Sequence, residues 1–117
     1  MNETLLADLT AEASRLSANL DKGLAALRQS AQDYAEAEQN YREVRARAYL
    51  RASGTVPERE AYADLQSLDE RRLRDVADGM RSAALEAVRS RRQQLSALQS
   101  ILAANRAEAE YVRTGPS

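Results

Sequence analysis

Apolar residues recur every three or four positions along nearly the whole chain, which is the spacing of one face of an α-helix. Charged and amide side chains fill the positions between them, so each segment is expected to bury a single narrow stripe. We therefore predict a first helix over residues 3–52. Its apolar series is Leu6, Leu9, Ala13, Leu16, Leu20, Leu24, Leu27, Ala31, Tyr34, Ala37, Tyr41, Val44 and Ala48.

A second series with the same spacing predicts a second helix over residues 57–112, followed by a frayed tail at 113–117. Gly79 lies inside this helix, costs about 1 kcal/mol relative to Ala, and suggests that another backbone approaches closely. The apolar series is Ala61, Leu65, Leu68, Leu73, Val76, Met80, Ala84, Ala87 or Val88, Leu95, Leu98, Leu102, Ala109 and Val112.

A tight turn at residues 53–56 separates the two series. Gly54 suits the left-handed position that follows a helix end. Thr55 and Glu58 have the spacing of a capping box, and Pro57 falls in the first helical turn, where its missing N–H is not needed. These residues predict the end of one helix and the start of the next.

Arms of similar length on either side of this turn predict an antiparallel hairpin in which Tyr41 faces Leu68. Two successive steps of four residues around Gly23 resemble a stutter, where the first helix either bends or breaks. The fold class is therefore all-α: one domain over residues 1–117, forming a long, coiled-coil-like antiparallel hairpin of two helices, or of three if Gly23 breaks the first.

A second apolar stripe lies outside the predicted seam. Since two helices bury little surface between them, this stripe predicts a homodimer that forms a four-helix bundle. Its residues are Leu5, Leu50, Leu85 and Ile101.

The composition excludes several kinds of catalytic group and metal site. The 117 residues include no His and no Cys, so thiolate metal sites, a Cys nucleophile and the commonest general base are all excluded. We expect no enzyme activity and assign no catalytic, cofactor-binding or metal-binding residue. No apolar window is long enough to span a membrane, and residues 1–20 do not resemble a secretion signal.

Basic residues concentrate in the second arm, where five arginines between residues 81 and 106 accompany only one acid, Glu86. Such a patch favours contact with phosphates or with an acidic protein. The alternative is a solvated or dimer-facing surface in which these arginines pair with acids of the other arm. The candidate contact residues are Arg81, Arg89, Arg91 and Arg92.

Tyr49 and Tyr62 flank the turn. They either fill the core with their hydroxyl groups at its wet edge or anchor a partner at the end of the hairpin. Most acids have an Arg three or four residues away, as Glu38 has Arg42, which is typical of a solvated helix surface.

Residues 41–59 contain the pattern AYL-x-A-x-GTV-x-ER, here from Ala48 to Arg59. This pattern resembles the turn of small helical-hairpin accessory proteins of tailed phages and prophages, and residues 85–105 are similar to the second helix of that group. The resemblance implies an accessory role in DNA replication or recombination in the bacterial cytoplasm, through a protein partner and with DNA as a further partner. The alternatives are a structural component of phage assembly and an inhibitor that binds a host enzyme.

Overall fold

A computed structural model describes residues 2–115 and shows an all-α, helical-hairpin fold. Helix α1 spans Glu3–Arg51, α2 spans Val56–Gln66 and α3 spans Leu68–Thr114; no strand occurs in this part of the chain. Two compact units are present. The turn unit comprises Ala26–Leu85, and the terminal unit comprises the residues up to Ala25 together with those from Glu86 onward. In each unit a segment of α1 packs against the returning chain.

The turn is built by the residues that the capping pattern singles out. Thr55 is the N-cap of α2, and its hydroxyl accepts a hydrogen bond from the Glu58 backbone N–H at 3.4 Å and donates one to the Glu58 carboxylate at 3.1 Å. Pro57 lies in the first turn of α2. Gly54 has φ +108°, and a Cβ there would lie 2.5 Å from Glu58 Oε2. Only glycine meets both conditions at this position.

Helix α1 runs through Gly23 without a break, so the alternative of a third helix arising there is wrong. Gly23 itself is buried in the terminal unit, where a Val88 methyl group lies 3.4 Å from the position that a Cβ would occupy. Ser30, and not the exposed Ala31, lies on the contact side of the helix. The contact positions therefore keep alternating steps of three and four through this region, and the predicted stutter is absent.

The predicted helix over residues 57–112 is in fact two helices, because Ser67 separates α2 from α3. Ser67 is 1% exposed, and its hydroxyl donates to the Ala63 carbonyl oxygen at 2.7 Å while its N–H donates to the same oxygen at 3.1 Å. A serine that bonds back to the carbonyl four residues earlier commonly bends a helix. Ala48 and Ala63 are fully buried in the same unit, so small residues line this contact.

The contact side of α2 and α3 differs from the predicted one. In the turn unit, Leu65, Val76 and Met80 are 64%, 56% and 62% exposed, although the sequence pattern places them in the seam. Small residues and arginine stems face α1 instead, because Tyr34 and Tyr41 of α1 occupy the intervening space. The residues on the contact side are Ala63, Ser67, Glu70, Arg74, Ala77, Arg81, Ala84 and Val88, continuing through Arg91, Leu95, Leu98, Leu102 and Asn105.

In the terminal unit the buried apolar residues include Leu16, Val88 and Leu102. Helix α3 extends to Thr114, so the predicted frayed tail begins later than residue 113, and Gly115 closes the helix by donating its N–H to the Tyr111 carbonyl oxygen at 2.8 Å. Pro116 and Ser117, which the sequence also assigns to that tail, lie outside the described residues.

Candidate interaction surfaces

The predicted basic contact residues of the terminal unit have different surroundings. Arg89 pairs with Glu86 of its own helix at 3.1 Å. The guanidinium of Arg91 lies against Gly23, since a Cβ on that glycine would come within 2.5 Å of Arg91 Nη1. Arg92 is exposed. Of these three arginines, two are thus already engaged by groups of the chain itself.

Arg81 and Arg74 form part of the contact between the helices of the turn unit. The guanidinium carbon of Arg81 lies 4.8 Å from the centre of the Tyr34 ring, and that of Arg74 lies 4.5 Å from the centre of the Tyr41 ring. Both are cation–π arrangements. Tyr41 therefore lies beneath Arg74. The predicted register, which places Tyr41 opposite Leu68, is wrong.

Hydrogen-bonded carboxylates hold these two arginines in place. Arg81 donates to Asp78 at 2.7 Å and Arg74 donates to Asp75 at 2.9 Å, and in each case the hydrogen bond raises the pKa of the guanidinium. Arg74 also reaches Glu38 of α1 at 3.5 Å. Arg81 is therefore part of the contact between the helices. The sequence-based prediction instead makes it a contact for an external partner.

The end of the hairpin carries apolar side chains that packing does not use. Leu50 and Val56, which lie on either side of the turn, are 82% and 57% exposed, whereas Tyr49 is half-buried. We call these three residues the tip. Tyr62, the other candidate anchor, lies on α2 and belongs to the surface described next. The sequence pattern contains Leu50 and Val56, but capping explains neither of them.

A second apolar surface covers the side of α2 and α3 that points away from α1. Leu65 follows the buried Ala63 by two positions and Val76 follows Arg74 by two, which places both about 200° around the helix from the contact side. We call this surface the outer face. Its large apolar residues are Tyr62, Leu65, Leu68, Leu73, Val76 and Met80, each at least 40% exposed.

Three smaller or charged residues lie among these side chains. Asp69 and Arg72 have side chains that are 87% and 77% exposed and are 3.9 Å apart, so their mutual ion pair is weak. Gly79 is exposed, and a Cβ there would meet no atom within 4 Å. The close backbone approach that a mid-helix glycine suggests is therefore not made within the described part of this chain.

Three further properties bear on function: metal binding, membrane crossing and the pKa of one carboxyl group. Between residues 2 and 115, no group of three His, Cys, Asp or Glu side chains is arranged to hold a metal ion. None of the helices in that range is both long and apolar enough to cross a bilayer. The Arg15 guanidinium donates a hydrogen bond to Glu12 at 2.9 Å and lowers the pKa of that carboxyl group.

Comparisons with protein-family models, with curated proteins and with solved structures gave no significant match to this chain.

Proposed function

We propose that this protein is a non-enzymatic, phage-type interaction protein, accessory to DNA replication or recombination, which acts by binding a protein partner. The phage context is supported by the turn pattern from Ala48 to Arg59. The absence of His and Cys from the sequence favours binding over catalysis. We further propose that the protein acts as a homodimer.

The observation that carries the proposed partner contact is the exposure of the tip. Gly54, Thr55 and Glu58 are accounted for by the geometry of the turn. Leu50 and Val56 belong to the same sequence pattern, yet their side chains stay largely in water. Exposed apolar residues grouped at one end of a hairpin are typical of a protein-binding surface.

The surroundings of the arginines favour a protein over DNA as the main partner. Arg89 pairs with the neighbouring acid Glu86, and Arg91 lies against Gly23 of α1, so both already have a partner within the chain. The sequence pI of about 5.5 also disfavours strong binding to nucleic acid. Arg92, which is exposed, favours DNA as a second partner.

Affinity capture from phage-infected host cells tests the partner contact. Tagged wild-type protein is compared with the double variant Leu50→Glu/Val56→Glu and with Val112→Glu, whose position is exposed but lies near the end of α3. We expect a specific protein to be retained by the wild type and by Val112→Glu and to be lost from the tip variant. Equal retention by all three contradicts the tip assignment. Copies of the chain in purified virions would instead identify a structural component.

A gel shift across a range of salt concentrations tests the DNA contact. We expect weak, salt-sensitive binding that the single change Arg92→Glu reduces as much as the triple change of Arg89, Arg91 and Arg92 to Glu. Binding that only the triple change reduces would mean that Arg89 and Arg91 leave their observed partners to bind DNA.

A further inference from the structure

We propose that the outer face of the turn unit is a two-fold interface that joins two copies of this chain through antiparallel packing of α2 and α3. The proposal deepens the proposed function and rests on it, because it identifies the surface by which the interaction protein dimerises. It assigns a different surface from the stripe of Leu5, Leu50, Leu85 and Ile101 that the sequence suggests.

Six residues of the outer face are arranged symmetrically about the midpoint between Glu70 and Arg71: Leu65, Leu68, Asp69, Arg72, Leu73 and Val76. Counting outward from that midpoint, Leu65 corresponds in position to Val76, and Asp69 corresponds to Arg72. When two copies of a helix pack antiparallel about a two-fold axis at such a midpoint, corresponding residues face each other across the axis. An axis there therefore brings apolar residues against apolar residues and an acid against a base.

The charges make this arrangement self-complementary. Asp69 of each copy meets Arg72 of the other copy, so two ion pairs form across the axis, replacing the weak 3.9 Å contact within one chain. Shielding by the flanking Leu68 and Leu73 strengthens such pairs relative to fully exposed ones. A parallel pairing of the same faces places Asp69 against Asp69 and Arg72 against Arg72, which is unfavourable.

Gly79 supplies an independent observation. It corresponds to Tyr62 in the same symmetric scheme, and both lie on the outer face. A glycine inside a helix costs about 1 kcal/mol relative to Ala, and nothing within 4 Å of this one explains why a side chain is missing. In the antiparallel pair, the absent side chain lets the backbone of the second copy approach closely at this level.

The symmetry selects a second copy as the occupant of the outer face. If the outer face bound a different protein, its apolar and charged residues would have to complement the sequence of that protein. Nothing would then require those residues to be symmetric about one point of α3. Only an interface in which the same surface meets itself imposes that relation. Four of the six exposed apolar side chains of the outer face then become buried in two pairs, Leu65 with Val76 and Leu68 with Leu73.

Charge reversal tests the ion pairs through the dimer dissociation constant, measured by sedimentation equilibrium over a dilution series. We expect Asp69→Arg and Arg72→Asp each to weaken dimerisation at least tenfold, since each places like charges across the axis. The double variant Asp69→Arg/Arg72→Asp should return to within about threefold of the wild type. Matched changes on α1 in the same unit, Glu36→Arg and Arg47→Asp, should leave the constant unchanged. A monomeric wild type, or a double variant as weak as the singles, overturns the proposal.

Engineered cysteines test the register. Leu65 of α2 and Val76 of α3 are eleven positions apart, roughly 16 Å at the helical rise per residue, which is too far for a disulfide within one chain. We expect the double variant Leu65→Cys/Val76→Cys to form covalent dimers on oxidation and each single variant to remain largely monomeric under denaturing conditions. Equal cross-linking by the single variants would place the axis elsewhere and contradict the proposed register.

These outcomes separate the two proposals. Loss of the dimer in the Asp69 or Arg72 variants, with partner capture retained, supports the interface and leaves the tip as an independent site. A monomeric wild type that still captures its partner through Leu50 and Val56 overturns the interface and the proposed homodimer, and leaves the proposed partner binding at the tip standing.

Discussion

Position 54 must satisfy two separate conditions in the turn. Its φ of +108° is a conformation that residues with a side chain rarely adopt, and the Glu58 carboxylate occupies the space that a Cβ would need. The carboxylate is there because it accepts the Thr55 hydroxyl hydrogen while the same hydroxyl caps α2. Backbone conformation and side-chain capping therefore depend on the same glycine.

We expect Gly54→Ala to lower the free energy of unfolding by about 1–2 kcal/mol, the usual cost of a left-handed conformation for a residue with a Cβ. Urea denaturation followed by circular dichroism measures the change. Ser53→Ala, in the same exposed loop, serves as the control and should alter stability by less than about 0.5 kcal/mol. Equal effects of the two substitutions would show that the turn tolerates a side chain at position 54.

Glu12 gives a pH-dependent prediction at the same scale. Its pKa lies below its usual range because Arg15 donates a hydrogen bond to the carboxylate. The stabilisation is therefore fully present above the unfolded-state pKa and is lost as pH falls through the folded-state pKa. We expect an NMR titration to show this lowered pKa and Arg15→Gln to return it toward the ordinary value. An unchanged Glu12 titration in that variant would contradict the assigned cause.

At the scale of the helices, the contact between α1 and α3 in the turn unit depends on rings and guanidinium groups as well as aliphatic side chains. Tyr34 and Tyr41 present their faces to Arg81 and Arg74, which are in turn fixed by Asp78 and Asp75. Arginine stems cover apolar surface while their charged ends stay partly in water. This explains how a contact side so poor in large apolar residues can hold two helices together.

A double-mutant cycle between Tyr41→Leu and Arg74→Met measures that contribution. Thermal or urea unfolding of the two single variants and the double variant should give a coupling energy of about 0.5–1 kcal/mol, the usual value for a cation–π pair at a partly exposed site. The cycle that replaces Arg74→Met by Arg72→Met should be additive, since Arg72 is on the outer face. A coupling near zero in the first cycle would mean that Tyr41 contributes through packing alone.

The helical periodicity predicts that helices form but not which side of α3 is buried. Capping residues and the turn are local, so Gly54 and Thr55 can be identified from their neighbours in sequence. The buried side of α3 depends on what α1 presents to it, and a pattern based on residue size favours Leu65 and Val76 over Ser67 and Arg74. A strict alternation of three and four that admits Gly, Ser and Arg identifies the observed contact positions.

The two units have cores of different character. The terminal unit buries Leu16, Val88 and Leu102, whereas Ala48, Ala63 and Ser67 are the fully buried residues of the turn unit. Apolar burial contributes about 25 cal/mol per Å², so loss of a large apolar group matters most in the terminal unit.

We expect Val88→Ala to lower stability by about 1–3 kcal/mol, because Val88 is 1% exposed and its removal leaves a cavity beside Gly23. Native-state hydrogen exchange should show the larger loss of protection in the terminal unit. Val112→Ala makes the same chemical change at a position that is 73% exposed and should have little effect. Uniform loss of protection across both units would indicate that they unfold together.

For the whole molecule, the sequence indicates the interaction surfaces only in part. Three arginines of the terminal unit stand out by charge alone: Arg89, Arg91 and Arg92. The Glu86 partner of Arg89 lies three residues earlier on the same helix, whereas the contact of Arg91 with Gly23 depends on the packing of the helices. Leu50 lies within the turn pattern, and only the structure shows that its side chain is exposed and takes no part in capping. The outer face is hidden from sequence reasoning because its residues have the spacing of a buried seam.

The unbroken alternation of contact positions, which includes Gly23 and Ser30 in α1, constrains how the length of this protein can vary. Removing seven residues from each arm at matching positions keeps every remaining contact in phase. Removing three or four from one arm alone rotates the rest of that helix away from its neighbour. Variants that arise by insertion or deletion are therefore expected to change in paired multiples of seven residues, with Arg81 still over the Tyr34 ring and Arg74 over the Tyr41 ring.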